Sequence, residues 1–309
     1  MRLTSIIAWK QLLIVYSYQV NSSLPTGPDL SNPQAAKAAI AEYMTNHTGP
    51  FAASFDSNSF LSYSQIINIT RQKSAAQWKH RRPIFPDSSD LRQNRGLAEQ
   101  YEIIFRDLFG SEAIAQLIQF PIGISPQYPD NPALLFTTPF NATFWTSFGV
   151  LMHPFSRGSV HINSSDPTDY PVIDPNYLSN PLDVYLLATM LLMNQHVAAT
   201  PPLTNLLQHE SDGSLVLQPG YPAVSTIQEA EAWVRKSCLS ISHPAGTCPM
   251  LPREKGGVVN NKFIVYGTSN LRVVDASVFP LQPRGNLQTL VYAIAERASD
   301  WIKEAYAAS

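Results

Sequence analysis

Two cysteines, Cys238 and Cys248, are all that 309 residues contain. That is too few for a disulfide framework, and no second pair stands ready to complete a zinc site, so no metal ligand set is expected. Charge is scarce as well: 14% of the chain is Asp, Glu, Lys or Arg while 44% is hydrophobic. An average domain carries about 25% charged residues, so much of this surface must be buried, internally or against something else. The 21 basic and 23 acidic residues nearly cancel at a net charge of -2. No basic run exceeds the Lys79 to Arg82 cluster, which leaves no footprint for a phosphate backbone and excludes nucleic acid as an expected partner. Long apolar runs are missing too. Lys10 and Gln11 divide the apolar opening into Ile6 to Trp9 and Leu12 to Val15. Both fall short of a signal-peptide core of about 7 to 15 residues and of a membrane span of about 20, so localisation stays open. Finally, none of the 14 glycines forms Gly-x-Gly, and the nearest pair, Gly256-Gly257, reads as a turn. A glycine-rich strand-to-helix cradle for a dinucleotide phosphate is therefore absent.

Proline is plentiful, with 25 residues spread along the chain that imply many loops. Ser31-Asn32-Pro33 offers a cap and an N1 proline, Ala35 to Met44 supplies helix formers, and Gly49-Pro50 ends a helix between them. A second helix is expected from Leu97 to Ile118. The Phe, Thr, Trp and Val content of Phe136 to Ile162, with a turn at Ser156-Arg157-Gly158-Ser159, indicates antiparallel strands. Within it, His153 and His161 read as polar packing. Asp166 to Asn180 reads as a loop and Leu182 to Val197 as a helix whose Met190 and Met193 fill the core. Leu271 to Asp275 reads as a short buried strand. From Asn286 to Tyr306 the residues Leu287, Leu290, Val291, Ile294, Ala298, Trp301 and Ile302 recur at helical spacing on one face.

The motifs cluster late in the chain. Ser242-His243-Pro244-Ala245-Gly246-Thr247-Cys248 is followed by Gly256-Gly257-Val258-Val259, by Val265 to Ser277 with its Val273-Val274-Asp275-Ala276 core, and by Gly285-Asn286-Leu287-Gln288-Thr289 with Tyr292-Ala293. This ordered series resembles the C-terminal signature of glucose-methanol-choline (GMC) oxidoreductases. Upstream, Ser156 to Val160, Pro171 to Leu178 and the helix between Asn32-Pro33 and Gly49-Pro50 are similar to the family's substrate domain, so the likeness covers nearly everything after Leu24.

That resemblance implies FAD as cofactor, a small-molecule alcohol as substrate, and a chemistry in which the alcohol loses its hydroxyl proton while its carbon delivers a hydride to flavin N5. His243 stands at the family's catalytic histidine, and a group with an ordinary pKa near 6.5 suits a general base. Asn286 stands at the second catalytic position. An amide does not titrate, so its implied role is to hydrogen-bond the substrate oxygen; the alternative reading is an N-cap, and both can hold at once. The backbone from Asn286 through Leu287 and Gln288 to Thr289 is implied to meet the flavin ring, where a helix N-terminus favours an anionic reduced flavin. Asp275 and Ala276 match the position facing the ribityl and phosphate portion, with a turn or cap role as the alternative for Asp275.

The expected fold class is α/β (α+β). Residues 1-24 form an atypical N-terminal segment, 25-240 an antiparallel-sheet substrate domain with helices, and 241-309 the C-terminal return of an FAD-binding domain. Without the Gly-x-Gly-x-x-Gly half, a separately encoded FAD-domain half is one partner to consider, and the stripe from Leu287 to Ile302 would be left exposed. Two other readings use the same residues: a truncated non-catalytic remnant, and a relative with non-redox lyase or cyclase chemistry.

Overall fold

A computed structural model of the chain describes residues 6–21, 33–49, 57–70, 91–108, 110, 112–125, 135 and 142–307. The two apolar runs near the start form one strand, β1 (Ile6–Gln19), in the middle of the sheet. From Gln11 to Val20 it is buried except at Gln19, where the side chain is half-covered. A strand covered on both faces shows no polar alternation, so its sequence reads as an apolar run of ambiguous type.

The remaining elements assemble around β1. They are α1 (Pro33–Asn46), β2 (Ser57–Ser62), α2 (Tyr63–Thr70), α3 (Leu91–Leu108), β3 (Ala113–Phe120), β4 (Phe144–Leu151), β5 (Gly158–His161) and β6 (Val172–Asp174). After these come α4 (Pro181–Ala198), α5 (Ile227–Ser237), β7 (Leu239–Ala245) and α6 (Gln288–Ala307). The sheet runs β2-β3-β4-β1-β5-β6, every pairing is antiparallel, and β7 also pairs with β1. This mixture of helices and an antiparallel sheet is the expected class.

Local chemistry accounts for most boundaries. Pro33 opens α1 as expected, although Ser31, Asn32 and Pro50 lie outside the described residues, as does the Lys79 to Arg82 cluster. The helix expected from Leu97 to Ile118 is corrected: α3 ends at Leu108, and Ala113–Phe120 is strand β3. Its first six residues are buried between β2 and β4, and a short apolar run carries too little periodicity to separate buried strand from buried helix. The loop expected over Asp166 to Asn180 contains the short strand β6. Leu271 to Asp275 forms no strand; Arg272 makes one isolated bridge to Ile264, and the segment is half-buried or exposed.

Helix α4 is the main cover of the sheet. Asn180 caps it through a 3.1 Å bond from the Leu182 amide, Pro181 occupies the first turn, and residues are buried all round its circumference, as a core helix requires. Met190 and Met193 are both fully buried, in keeping with core filling. Gly149 of β4 permits this contact, because a Cβ there would sit 3.1 Å from Met190 Cβ and 3.3 Å from Ile14 Cγ2. Asp183 in the first turn accepts the amides of Phe155 at 2.8 Å and Ser156 at 2.7 Å, and so joins α4 to the connection between β4 and β5. Beside it, buried Arg157 donates to the carbonyls of Pro154 and Ser156 and lies 4.9 Å over the Tyr101 ring. Burial pulls its pKa down to about 9.

Asp183→Ala strips the acceptor from two buried amides and should lower stability by about 3 kcal/mol, whereas Asp183→Asn, which keeps one acceptor oxygen, should lose less. Urea denaturation of the two variants checks this order.

Candidate active site

His243 sits in β7, where pairing with β1 is irregular. Lys10 is opposite Pro244 and Leu12 is opposite Ser240, so three residues of β7, Ile241 to His243, face the single residue Gln11. Ser242 adopts a left-handed φ of 60° at this bulge. Bulges bend a strand and re-aim its side chains. The result is a half-buried imidazole whose Nδ1 lies 2.7 Å from Gln11 Oε1. Burial holds the His243 pKa below the ordinary value of 6.5.

The same amide of Gln11 reaches the segment just ahead of Asn286, donating to the carbonyls of Pro283 at 3.0 Å and Gly285 at 3.3 Å. Gly285 takes a positive φ of 75°, a conformation open to glycine at little cost, and its N–H points at Met152 Sδ, 3.2 Å away. Asn286 follows directly, exposed and with no hydrogen-bonding partner among the described residues. The turn of Gly285 thus delivers Asn286 close to the loop that Gln11 ties to His243.

Other bonds fix the frame. His153 is bonded through Nδ1 to the Gln282 carbonyl at 2.9 Å, and Gln282 Nε2 lies 3.5 Å from the His243 carbonyl. The amides of Gly246, Cys248 and Met250 donate to the carbonyls of Ala276, Ser277 and Val278. This ladder brings the segment after His243 alongside Asp275 and Ala276. Asp275 itself caps a 3-10 turn, Ala276–Val278, by accepting the Ser277 amide at 2.8 Å. Its cap role, one of the two readings of this acid, is therefore realised.

Helix α6 begins at Gln288, so Asn286 lies ahead of the N-cap position and does not cap it; the first intrahelical acceptor before the helix is the Leu287 carbonyl, bonded to Val291 N at 2.9 Å. Leu287 is buried, whereas Gln288 and Thr289 are exposed in the first turn. The expected exposed stripe is corrected. Leu287 and Ala298 are buried, Val291, Ile294 and Trp301 are half-buried against the core, and the Trp301 ring meets Phe263 at 5.6 Å. Leu290 is the stripe member left exposed, with Tyr292 beside it off the stripe.

Sequence reasoning missed Gln11, Gln282 and the proximity of His153. Gln11 carried one signal, a polar residue inside an apolar run.

Residues 154–295 match the C-terminal family model of GMC oxidoreductases. This match spans just under half of the chain and includes His243 and Asn286. It is similar to a GMC oxidoreductase family protein of Malassezia sympodialis, 43% identical over 152 residues that make up 49% of this chain and 24% of that protein. A glucose oxidase-like protein of Humicola fuscoatra is 37% identical over 164 residues, 53% of this chain and 26% of that one. The matched stretch thus spans about a quarter of the length of these two relatives.

Among solved structures, an FAD-dependent oxidoreductase from Chaetomium thermophilum superposes with a TM-score of 0.75 at 23% identity, covering 99% of this chain and 49% of that one. A fungal aryl-alcohol oxidase gives 0.70 at 24% identity, with 98% and 48% covered. These show that the chain shares its fold with about half of each of these two oxidoreductases. No helix among the described residues is long and apolar enough to cross a membrane.

Gly285→Ala forces a side chain into the left-handed region, which costs about 1–2 kcal/mol. The added Cβ would meet nothing nearer than the Phe60 ring at 3.7 Å, so the loss comes from the backbone and not from crowding. A lowered thermal midpoint in the G285A variant checks this.

Proposed function

We propose that the protein takes part in FAD-dependent oxidation of an alcohol, with His243 as the base and Asn286 as the hydrogen-bond partner of the substrate oxygen. The observation that carries this reading is the Gln11 bridge: one ring nitrogen of a half-buried histidine is anchored at 2.7 Å, and the same amide holds the loop that presents Asn286. An anchored imidazole with a lowered pKa is neutral at physiological pH and has its other nitrogen available for a proton. Asn286, with no partner among the described residues, has donors for a developing alkoxide.

The residues fit the ring end of FAD. The first-turn amides of α6 have no intrahelical acceptor and carry partial positive charge, and exposed Asn286, Gln288 and Thr289 stand at this end beside the backbone of Leu287. Exposed Asp275 would accept from hydroxyls of the ribityl chain near Ala276. The fit stops there, because no Gly-x-Gly exists to cradle the ADP portion. We assign that portion to a dinucleotide-binding half outside this sequence, a separately encoded chain being one source. FAD, when bound, supplies the hydride acceptor. His243 takes the hydroxyl proton, Asn286 steadies the oxygen as it becomes a carbonyl, and the apolar surroundings of β1 keep the base desolvated.

Purified protein mixed with FAD and an alcohol series tests this. Bound flavin that bleaches on alcohol addition supports the reading; a colourless protein that takes up no added FAD removes the chain as a standalone catalyst. In a flavin-loaded preparation, His243→Ala should cut the rate of flavin reduction by two or more orders of magnitude while flavin stays bound, roughly the 10²–10⁴ that general bases contribute. Retention of the wild-type rate would falsify the base assignment.

The pH dependence follows from the lowered pKa. Protonated His243 cannot act as base, so kcat/KM should rise with pH through a midpoint below 6.5 and then level off. A descending limb in that range contradicts the assignment.

A further inference from the structure

Gln11 is the most deeply buried polar side chain of β1 along with Ser17, both fully enclosed. An amide so placed is tolerated only when its donors and acceptor are matched. Its matching has a single solution. The carbonyls of Pro283 and Gly285 can only accept, so the amide nitrogen must face them, and the amide oxygen must face the other way, toward His243 Nδ1 at 2.7 Å. An amide oxygen likewise only accepts. Nδ1 must therefore carry the hydrogen, and a neutral imidazole with Nδ1–H keeps its lone pair on Nε2.

We infer that Gln11 is a positioning residue that locks His243 in the Nδ1–H tautomer, leaving Nε2 as the proton acceptor, and ties that ring to the Pro283–Gly285 loop that delivers Asn286. The lock deepens the proposed function and takes its catalytic meaning from it, but the tautomer itself needs no flavin. The bulge in β7 supports the assignment independently, since it sets three residues against Gln11 and turns His243 onto it. The choice of amide also matters. A carboxylate could accept from Nδ1 but could not donate to two carbonyls, and its charge would hold His243 protonated, against the role of a base. No such charge is supplied by the neighbouring loop: Arg284 is paired with Glu112 at 2.6 Å, and His153 is bonded to the Gln282 carbonyl.

The test is nitrogen-15 NMR on the full chain with labelled histidine, at a pH where the histidines are neutral, with the His243 signals identified by their loss in His243→Gln. The expected result is a single Nδ1–H tautomer for His243. Gln11→Leu, with an unchanged circular dichroism spectrum, should populate the Nε2–H form. Gln11→Glu should keep Nδ1–H and raise the His243 titration midpoint by roughly one to three pH units. An Nε2–H ring in the wild-type chain overturns the inference, and so does a folded Gln11→Leu variant with an unaltered tautomer. If Gln11→Leu does not fold, an unshifted midpoint in Gln11→Glu overturns it instead. Flavin reduction that survives His243→Ala sinks the proposed function while leaving the tautomer lock intact; a wrong tautomer does the reverse.

Discussion

Strand β1 is hydrogen-bonded to β4 along Leu12 to Gln19, to β5 through Ile6 to Ala8, and to β7 through Trp9 to Leu13. Both halves of the sheet and the strand bearing His243 therefore depend on one segment. Its burial on both faces is what makes it a stable centre: removing apolar side chains from water is the dominant favourable term, and every backbone group must then find a partner in the sheet. Side chains alternate along the strand, so Ile14, beneath Gly149 and Met190, faces α4, while Gln11 faces the loop from Pro283 to Gly285. One strand thus separates a packing face from a chemical face.

The chemical face is built from irregularities. A bulge at Ser242, a left-handed glycine at 285 and a histidine cross-bonded to the Gln282 carbonyl all interrupt regular structure around His243 and Asn286. Such departures persist only where the surrounding fold holds them, and rigid antiparallel pairing on either side of β1 provides that hold. The ladder from Gly246 to Met250 along Ala276 to Val278 extends the same rigidity to Asp275, whose Oδ1 caps the following turn. The Gln11 side chain itself then reaches partners 232 and 272 residues away in sequence.

Much of the architecture is legible in the sequence. Helices α1, α4 and α6 announce themselves through a proline at the start or through three- and four-residue spacing, and the aromatic and β-branched content around Phe144 and Val150 reads as strand. Two elements were not legible for a shared reason. In β1 and β3 both faces are covered, so the alternation that identifies a strand is missing, and from sequence β3 reads as a continuation of the preceding helix. The exposed stripe on α6 misled for the opposite reason: an apolar helical face specifies that something covers it, and here Phe263 and neighbouring core residues do so.

The amino-acid sequence by itself determined the resemblance to GMC oxidoreductases through its run of motifs from His243 to Thr289, and with it which residues stand as candidate base and amide partner. It also determined that no glycine-rich cradle is present. Only the tertiary structure decided which nitrogen of His243 is anchored, that Asp275 caps a turn, and that Gln11 joins His243 to the loop before Asn286. Motifs are local in sequence, whereas a hydrogen bond across 232 residues exists only once β1 and β7 are paired, and no local preference of Gln11 or His243 encodes it.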